Sequence, residues 1–203
     1  AIVLGTNTVG GLQITTTATS NIGLGANAVD SITTGDYNVG LGDNAGTAVT
    51  SGAENTALGA SALIANTTAS QNTAIGAYTL VANTTGANNT AVGKQALYAN
   101  TTASNNTAFG NSSLVANTTG ANNTASGYQA LNDNTTGGQN AAFGYRALYE
   151  NTTASNNSAF GNQAMQNNTT GTSNVAIGYE SLKANTTGFK NTSVGSGSAI
   201  DNT

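Results

Sequence analysis

Residues 72–88 read NTAIGAYTLVANTTGAN, and this 17-residue stretch recurs along almost the whole chain. Its opening motif is Asn, Thr, Ala, an apolar residue and Gly, and the motif returns every 17 residues without an insertion or deletion. A fixed period of this length is the sequence signature of a repeat architecture. We number the repeat from its first asparagine, as positions 1 to 17. Copies open at Asn21, Asn38, Asn55, Asn72, Asn89, Asn106, Asn123, Asn140, Asn157, Asn174 and Asn191.

The repeat divides the chain into two unequal parts. Residues 1–20 keep the register poorly, so we interpret them as a divergent N-terminal coil. Residues 21–203 are predicted to form one continuous repeat domain, and positions 12 to 14 read Asn-Thr-Thr through most of it. In the copy that spans residues 72–88, the residues that define the repeat are Asn72, Ile75, Gly76, Leu80 and Asn83.

The repeat predicts an all-β fold. No apolar stripe with a 3.6-residue period persists, and Gly, Thr and Asn are poor helix formers. Positions 1–5 read as a short strand and positions 8–10 as a second one, with Gly and Asn-Thr-Thr-Gly at the turns. Without Asn-Gly or Asp-Gly hairpin signals, the chain is predicted to coil as a parallel β-roll or β-solenoid.

In such a coil each residue lies over the residue 17 positions later. Ile75, Val92 and Phe109 should therefore align, as should the leucines of position 9, with Leu80 among them. Asparagines at positions 1 and 12 should hydrogen-bond to each other along the stack through their side-chain amides. This ordering needs no wide hydrophobic core.

A thin coil with few apolar residues buries little surface. At about 25 cal/mol per Å², that burial hardly offsets the cost of ordering 17 residues at about 1–2 kcal/mol each. We therefore expect a homo-oligomer. The aromatic residues of position 4, Phe109, Phe143 and Phe160, are predicted to fill the core.

The composition excludes several classes of function. The chain has no His and no Cys, which removes thiol nucleophiles, Ser-His-Asp triads and the usual zinc or haem sites. Four basic residues among 203 are too few to neutralise a row of phosphates, so nucleic acid is not expected as a partner. No apolar run is long enough to cross a bilayer, so we expect no membrane insertion by this segment. No cofactor, metal ligand or catalytic residue is assigned, and the chain is not expected to be an enzyme.

Two groups of acidic residues need a specific interpretation. Asp133 and Glu150 both occupy position 11 of adjacent repeats and should stack closely, but nothing beside them supports glycoside hydrolysis. Asp30, Asp36 and Asp43 offer oxygen ligands of the kind that calcium uses. Their spacing fits no established calcium loop, so solvated turn residues are the favoured interpretation.

The Asn-Thr-Thr triplets permit three interpretations. Each is an acceptor sequence for N-glycosylation, and the first stands at Asn66. The favoured interpretation is a turn in which Asn tolerates unusual backbone angles and Thr hydroxyls bind the backbone. A regular threonine array that binds ice is a less favoured alternative.

Tyrosines at the variable positions 6, 7 and 10 are the candidate surface-contact residues. Exposed aromatic side chains stack on sugars or contact partner proteins, and they also cover apolar neighbours between chains. The sequence leaves both interpretations open. The candidates are Tyr78, Tyr98, Tyr128, Tyr145, Tyr149 and Tyr179.

The repeat resembles the head repeats of YadA-like trimeric autotransporter adhesins. The resemblance is carried by Asn-Val-Ala-Ile-Gly at Asn174–Gly178 followed by Tyr179-Glu180-Ser181, and similar matches stand at Asn72–Thr79 and Asn191–Ser198. It implies a left-handed parallel β-roll of three identical chains on a bacterial surface. Similar arrays also resemble the shafts of phage tail fibres and of related injection machines. The family's repeats are shorter, and its coiled-coil stalk and membrane anchor are absent from this sequence.

These observations predict a non-enzymatic fibrous surface protein, an adhesin head or fibre shaft that mediates attachment. The expected partners are further copies of this chain and a host-surface protein or glycan. The expected location is extracellular, on a cell surface or on a virion tail. The alternatives are a phage or injection-machine tail-fibre shaft and a self-polymerising extracellular filament subunit.

Overall fold

The structure is a computed structural model that describes residues 12–13 and 20–201. Within these ranges the chain is all-β, and twelve short strands form one sheet in chain order. The predicted β-solenoid of 17-residue repeats is confirmed. The strands are β1 (Leu12–Gln13), β2 (Ile22–Leu24), β3 (Val39–Leu41), β4 (Thr56–Leu58), β5 (Thr73–Ile75), β6 (Thr90–Val92), β7 (Thr107–Phe109), β8 (Thr124–Ser126), β9 (Ala141–Phe143), β10 (Ser158–Phe160), β11 (Val175–Ile177) and β12 (Thr192–Val194).

Strands β2 to β12 pair in parallel, each with the strand of the next coil. Ile75 pairs with Val92, and Val92 pairs with Phe109, so the predicted alignment of these residues is confirmed. Strand β1 runs antiparallel to β2. The predicted divergent coil at residues 1–20 lies outside the described residues except for Leu12–Gln13 and Ser20.

The side of each strand that faces inward is set by position 3. Ala74 in β5 is fully buried, whereas the side chains of positions 2 and 4 lie on the opposite face because strand residues alternate. The prediction that the position-4 phenylalanines fill the core is therefore wrong. Phe109, Phe143 and Phe160 are 44%, 38% and 40% exposed, since only the small Ala side chain fits between the layers of the coil.

Positions 6 to 11 form turns, so the predicted second strand at positions 8–10 is wrong. Tyr78 at position 7 and Leu80 at position 9 both have positive φ, 58° and 51°. Two left-handed residues in three break the pleat of a strand. Backbone hydrogen bonds still join adjacent coils here, because the N–H of Leu80 donates to the carbonyl of Ala96 at 3.1 Å.

Glycine at position 5 is required by close packing between coils. Gly76 has a φ of 128°, and a Cβ built on it would lie 2.8 Å from the carbonyl carbon of Gly93 in the next coil. A side chain at this position would therefore separate the coils directly after each strand. The recurrence of Gly at this position follows from that contact.

The core is a stack of small and aliphatic side chains. Leucine at position 9 points inward as predicted, although from a turn, and Leu63, Leu80 and Leu97 are fully buried. They pack with the alanines of positions 3 and 8 in one continuous cluster that extends to Leu182. A left-handed conformation costs a non-glycine residue about 1–3 kcal/mol, and burial of the leucine side chain compensates for that cost.

Two columns of buried asparagine run beside this cluster, as predicted. At position 1, the side-chain oxygen of Asn55 accepts a hydrogen bond from the backbone N–H of Asn72 at 3.0 Å. At position 12, the amide nitrogen of Asn83 donates to the side-chain oxygen of Asn66 at 3.0 Å. Both columns also bind the position-15 carbonyl, because Asn72 and Asn83 each donate to the oxygen of Gly86 at 2.9 Å.

The first coils pack differently and compensate for their departures from the repeat. Position 9 holds Val29 and Gly46 instead of Leu, and position 12 holds Ile32 and Val49 instead of Asn. Val29, Ile32 and Val49 form a second buried cluster. A Cβ built on Gly40 at position 3 would lie 2.9 Å from a methyl group of Val29, so the usual alanine is excluded there.

We predict that Asn100→Asp destabilises the coil by about 2–4 kcal/mol, because it removes two buried amide donors and introduces a buried charge. Asn100 donates to the side-chain oxygen of Asn83 and to the carbonyl of Ala103, both at 2.9 Å. The matched control is Asn105→Asp in the same coil, where the side chain is exposed. Urea denaturation measures both variants, and equal effects would contradict a stabilising role for the buried amide column.

Candidate functional site

Five of the six candidate tyrosines are exposed, and Tyr149 is half-buried. Tyr78, Tyr98 and Tyr179 each lie on a separate coil, and no ring contact involves them in the described part of the chain. Tyr128 and Tyr145 occupy position 6 of adjacent coils. Only the coils that open at 123 and 140 therefore gather several of the candidates on one surface.

The rings of Tyr128 and Tyr145 stack on each other. Their centroids are 5.7 Å apart and their planes differ by 10°, an offset stack imposed by the spacing of the coils. These rings are 47% and 42% exposed, so their edges and hydroxyl groups reach solvent. The two stacked rings therefore present one continuous aromatic surface to a ligand.

Arg146 is a candidate functional side chain that the sequence pattern did not single out. Its guanidinium carbon lies 5.4 Å from the ring centroid of Tyr145 and 5.0 Å from that of Tyr149. Its Nε donates to Oε1 of Gln129, on the preceding coil, at 2.9 Å. We call Tyr128, Gln129, Tyr145, Arg146 and Tyr149 the arginine–tyrosine cluster. The available signal was a shared register, since these residues occupy positions 6, 7 and 10 of adjacent copies.

A second aromatic contact lies on the strand face. Phe143 and Phe160 stack with centroids 4.9 Å apart and planes 5° apart. They belong to the outward side of β9 and β10, in line with the other position-4 residues. The strand face is thus apolar and the arginine–tyrosine cluster lies on the turn segment that follows it.

Three acidic residues of the later coils have defined surroundings. Asp133 and Glu150 lie on adjacent coils in the predicted register, and the backbone N–H of Asp133 donates to the carbonyl of Tyr149 at 3.0 Å. Burial raises the pKa of Asp133. Glu180 accepts a hydrogen bond from Lys183, which lowers the pKa of its carboxyl.

The three early aspartates do not form a metal-binding group. Asp43 accepts a hydrogen bond from the backbone N–H of Ala26 on the preceding coil at 3.0 Å, and Asp30 is exposed. Nowhere in residues 20–201 do three or more Asp or Glu side chains converge on one point. The turn interpretation of these residues therefore fits their positions.

The Asn-Thr-Thr triplets lie in a turn whose asparagine is inaccessible. Asn66 and its equivalents at position 12 are fully buried and hydrogen-bonded, so the folded coil does not present them for glycosylation. The position-13 threonine is used as well, because the hydroxyl of Thr84 donates to the carbonyl of Thr101 at 3.1 Å. The position-14 threonine, such as Thr85, is exposed in every triplet, whereas the position-13 threonine is half-buried except at Thr186.

In the comparison with known proteins, no family model, curated protein or solved structure matches this chain. In the described residues, the structure has no helix of the length and hydropathy needed to span a membrane. The function must therefore be inferred from the surfaces of the coil itself.

We predict that Asp133→Asn stabilises the protein at neutral pH. Burial raises the pKa of Asp133 in the folded state, so ionisation of its carboxyl opposes folding as the pH rises through its titration range. Asn already occupies the equivalent position at Asn167. The control is Asp30→Asn at an exposed site. Thermal melts should show a higher Tm for Asp133→Asn at neutral pH and no gain below the ordinary carboxyl range, and a gain that persists at low pH would contradict this cause.

Proposed function

We propose that this chain is a non-enzymatic, fibre-forming attachment protein whose copies associate in threes along the strand faces of their coils. The observation that carries the proposal is the apolar strand face. It follows positions 2 and 4 from β2 to β12 and contains no charged residue. Its exposed large members are Ile22, Leu24, Val39, Leu41, Leu58, Phe109, Phe143, Phe160, Ile177 and Val194.

Such a face favours burial against another molecule. Single exposed apolar residues are ordinary, but a contiguous apolar stripe marks an interaction surface. Here the stripe follows position 4 over eleven strands and is interrupted at Ser126, whereas the core behind it consists mainly of Ala, Leu and Asn. Burial of the stripe adds the apolar area that the thin coil lacks.

A further copy of the same chain is the partner that fits the stripe best. It carries identical coils with the same spacing, so the apolar residues of position 4 on one copy meet those of the other along the stack, except at Ser126. The low charge of the chain, 6% of residues, imposes little repulsion between copies. Three copies is the number that the resemblance to trimeric adhesin heads implies.

The surface that such an assembly leaves exposed supports an attachment function. The turn segments at positions 6 to 11 carry the exposed tyrosines and vary from coil to coil, while the strands are nearly constant. A rigid fibre with a variable outer surface suits the head of a surface adhesin, and it equally suits the shaft of a phage or injection-machine tail fibre. The partner is then a protein or a glycan of the host surface, and the fibre binds it outside the cell or virion that carries the fibre.

The mass of the assembly in solution tests this proposal. We expect light scattering after size-exclusion chromatography to give the mass of three chains. Changing both stacked phenylalanines, Phe143→Glu and Phe160→Glu, should abolish the assembly of three chains, because two charges then lie in the apolar stripe. Circular dichroism then shows whether the separated chains stay folded without the contact. The control Tyr78→Glu alters an exposed aromatic residue at position 7 of another coil and should keep three chains.

Other masses have definite consequences. A single chain for the unmodified protein at high concentration would overturn the proposed association. Mass that grows without limit would support the alternative of a self-polymerising filament. Retention of three chains in the double variant would show that the strand face is not the interface.

Ice binding is the remaining alternative, and one observation favours it. The exposed position-14 threonines form a single regular column along the coils, with Thr85 and Thr102 in adjacent coils. The neighbouring position-13 hydroxyls donate to backbone carbonyls, so no second rank of free hydroxyls lies beside the column. We expect no thermal hysteresis from the purified protein in a nanolitre osmometer, and a measurable value would make ice binding the better proposal.

A further inference from the structure

Arg146 is a guanidinium group that is held in place without an acidic partner. Gln129 fixes its Nε, and the rings of Tyr145 and Tyr149 both lie within cation–π distance. Among the described residues, the only ion pair is Lys183 with Glu180. The positive charge of Arg146 is therefore balanced by no carboxylate of the coil.

Most of the hydrogen-bonding capacity of this side chain is unused. A guanidinium has five N–H donors in a planar fork, and only the Nε–H bond has a protein acceptor. The two terminal nitrogens carry the other donors. Because the aromatic rings and Gln129 already restrict the side chain, an acceptor that binds this fork meets little additional loss of side-chain freedom.

We propose that the arginine–tyrosine cluster binds the carboxylate of an acidic sugar residue, such as a uronic or sialic acid. A carboxylate accepts two parallel hydrogen bonds from the terminal nitrogens of a guanidinium, the geometry that makes Arg selective for it. The exposed rings of Tyr128 and Tyr145 supply an apolar surface for the C–H groups of a pyranose. The tyrosine hydroxyls donate to or accept from its hydroxyl groups. This proposal rests on the attachment function above and assigns its ligand to a glycan.

The charges nearby favour a sugar over an acidic peptide. Asp133 and Glu150 occupy position 11 of the same two coils, one position after Asn132 and Tyr149. Each additional carboxylate of a ligand is disfavoured by these two acids, so an acidic peptide is disfavoured more than a ligand with a single carboxylate. A glycan brings one carboxylate to Arg146 and neutral hydroxyl groups to the rest of the surface.

Saturation-transfer NMR with defined sugars tests the site. The probes are sialyllactose and methyl glucuronide, each with one carboxylate, and lactose is the neutral control. We expect saturable binding of at least one acidic probe and none of lactose. Arg146→Gln should weaken that binding by at least about tenfold, since it removes a charge-assisted bidentate contact. Arg146→Lys keeps the charge without the fork and should also bind more weakly than the unmodified protein.

The matched control is Lys94→Gln, which removes a positive charge from an exposed position-6 residue on another coil and should bind like the unmodified protein. Circular dichroism verifies that each variant is folded. Absence of binding by both acidic probes would overturn the proposal, as would unchanged binding by Arg146→Gln. Tighter binding of a triglutamate peptide than of either sugar would replace the glycan with an acidic peptide.

The solution mass separates this proposal from the proposed assembly. An assembly of three chains that binds neither acidic probe would overturn the glycan site alone. Single chains that bind the probe through Arg146 would overturn the assembly and leave the glycan site intact.

Discussion

The hydrogen bond between a buried asparagine and the next coil is the constraint on which the rest of the structure depends. At position 1 each side-chain oxygen accepts the backbone N–H of the following asparagine, as between Asn72 and Asn89 at 3.0 Å. At position 12 each amide nitrogen donates to the preceding side chain. In most coils both columns also bind the carbonyl of position 15, which ties the two sides of the coil together. The exceptions are the first coils, where Ile32 and Val49 replace the position-12 asparagine, and the coil of Asn106, whose buried amide nitrogen has no partner. A coil one residue longer or shorter would move the asparagines out of their columns and leave buried amides unpaired.

This polar ordering explains how a thin coil accommodates conformations that most proteins avoid. Each regular coil has left-handed non-glycine residues at positions 7, 9 and 17, such as Tyr78, Leu80 and Asn88. Their cost is compensated because every such turn stacks on an identical turn, and backbone hydrogen bonds continue between coils around the whole circumference. Small residues at positions 3 and 5 let the layers approach. The same thinness leaves the larger apolar residues outside, on the strand face.

This geometry gives the coil two kinds of surface, the strand face and the turn segments. The strand face carries an apolar residue at position 4 of every coil except that of Ser126, which suits contact with another copy. The turn segments vary, and only on two adjacent coils do they place Arg146 between Tyr145 and Tyr149. The six tyrosines could be selected from the sequence because they are large residues at variable positions. Arg146 could not, since its contacts depend on how the left-handed turn at position 7 directs the side chain.

The sequence by itself determined the period, the parallel register and the residues that stack in columns, because a repeat without insertions aligns each residue with the one 17 positions later. The tertiary structure alone decided which side of each column faces inward. Strand residues alternate between the two faces, so a shift of one position would bury Ile75 instead of Ala74. The 17-residue period is the same in both cases and does not distinguish them. Only close packing of the layers resolves it, since the space behind the strand admits a methyl group and excludes a phenylalanine ring.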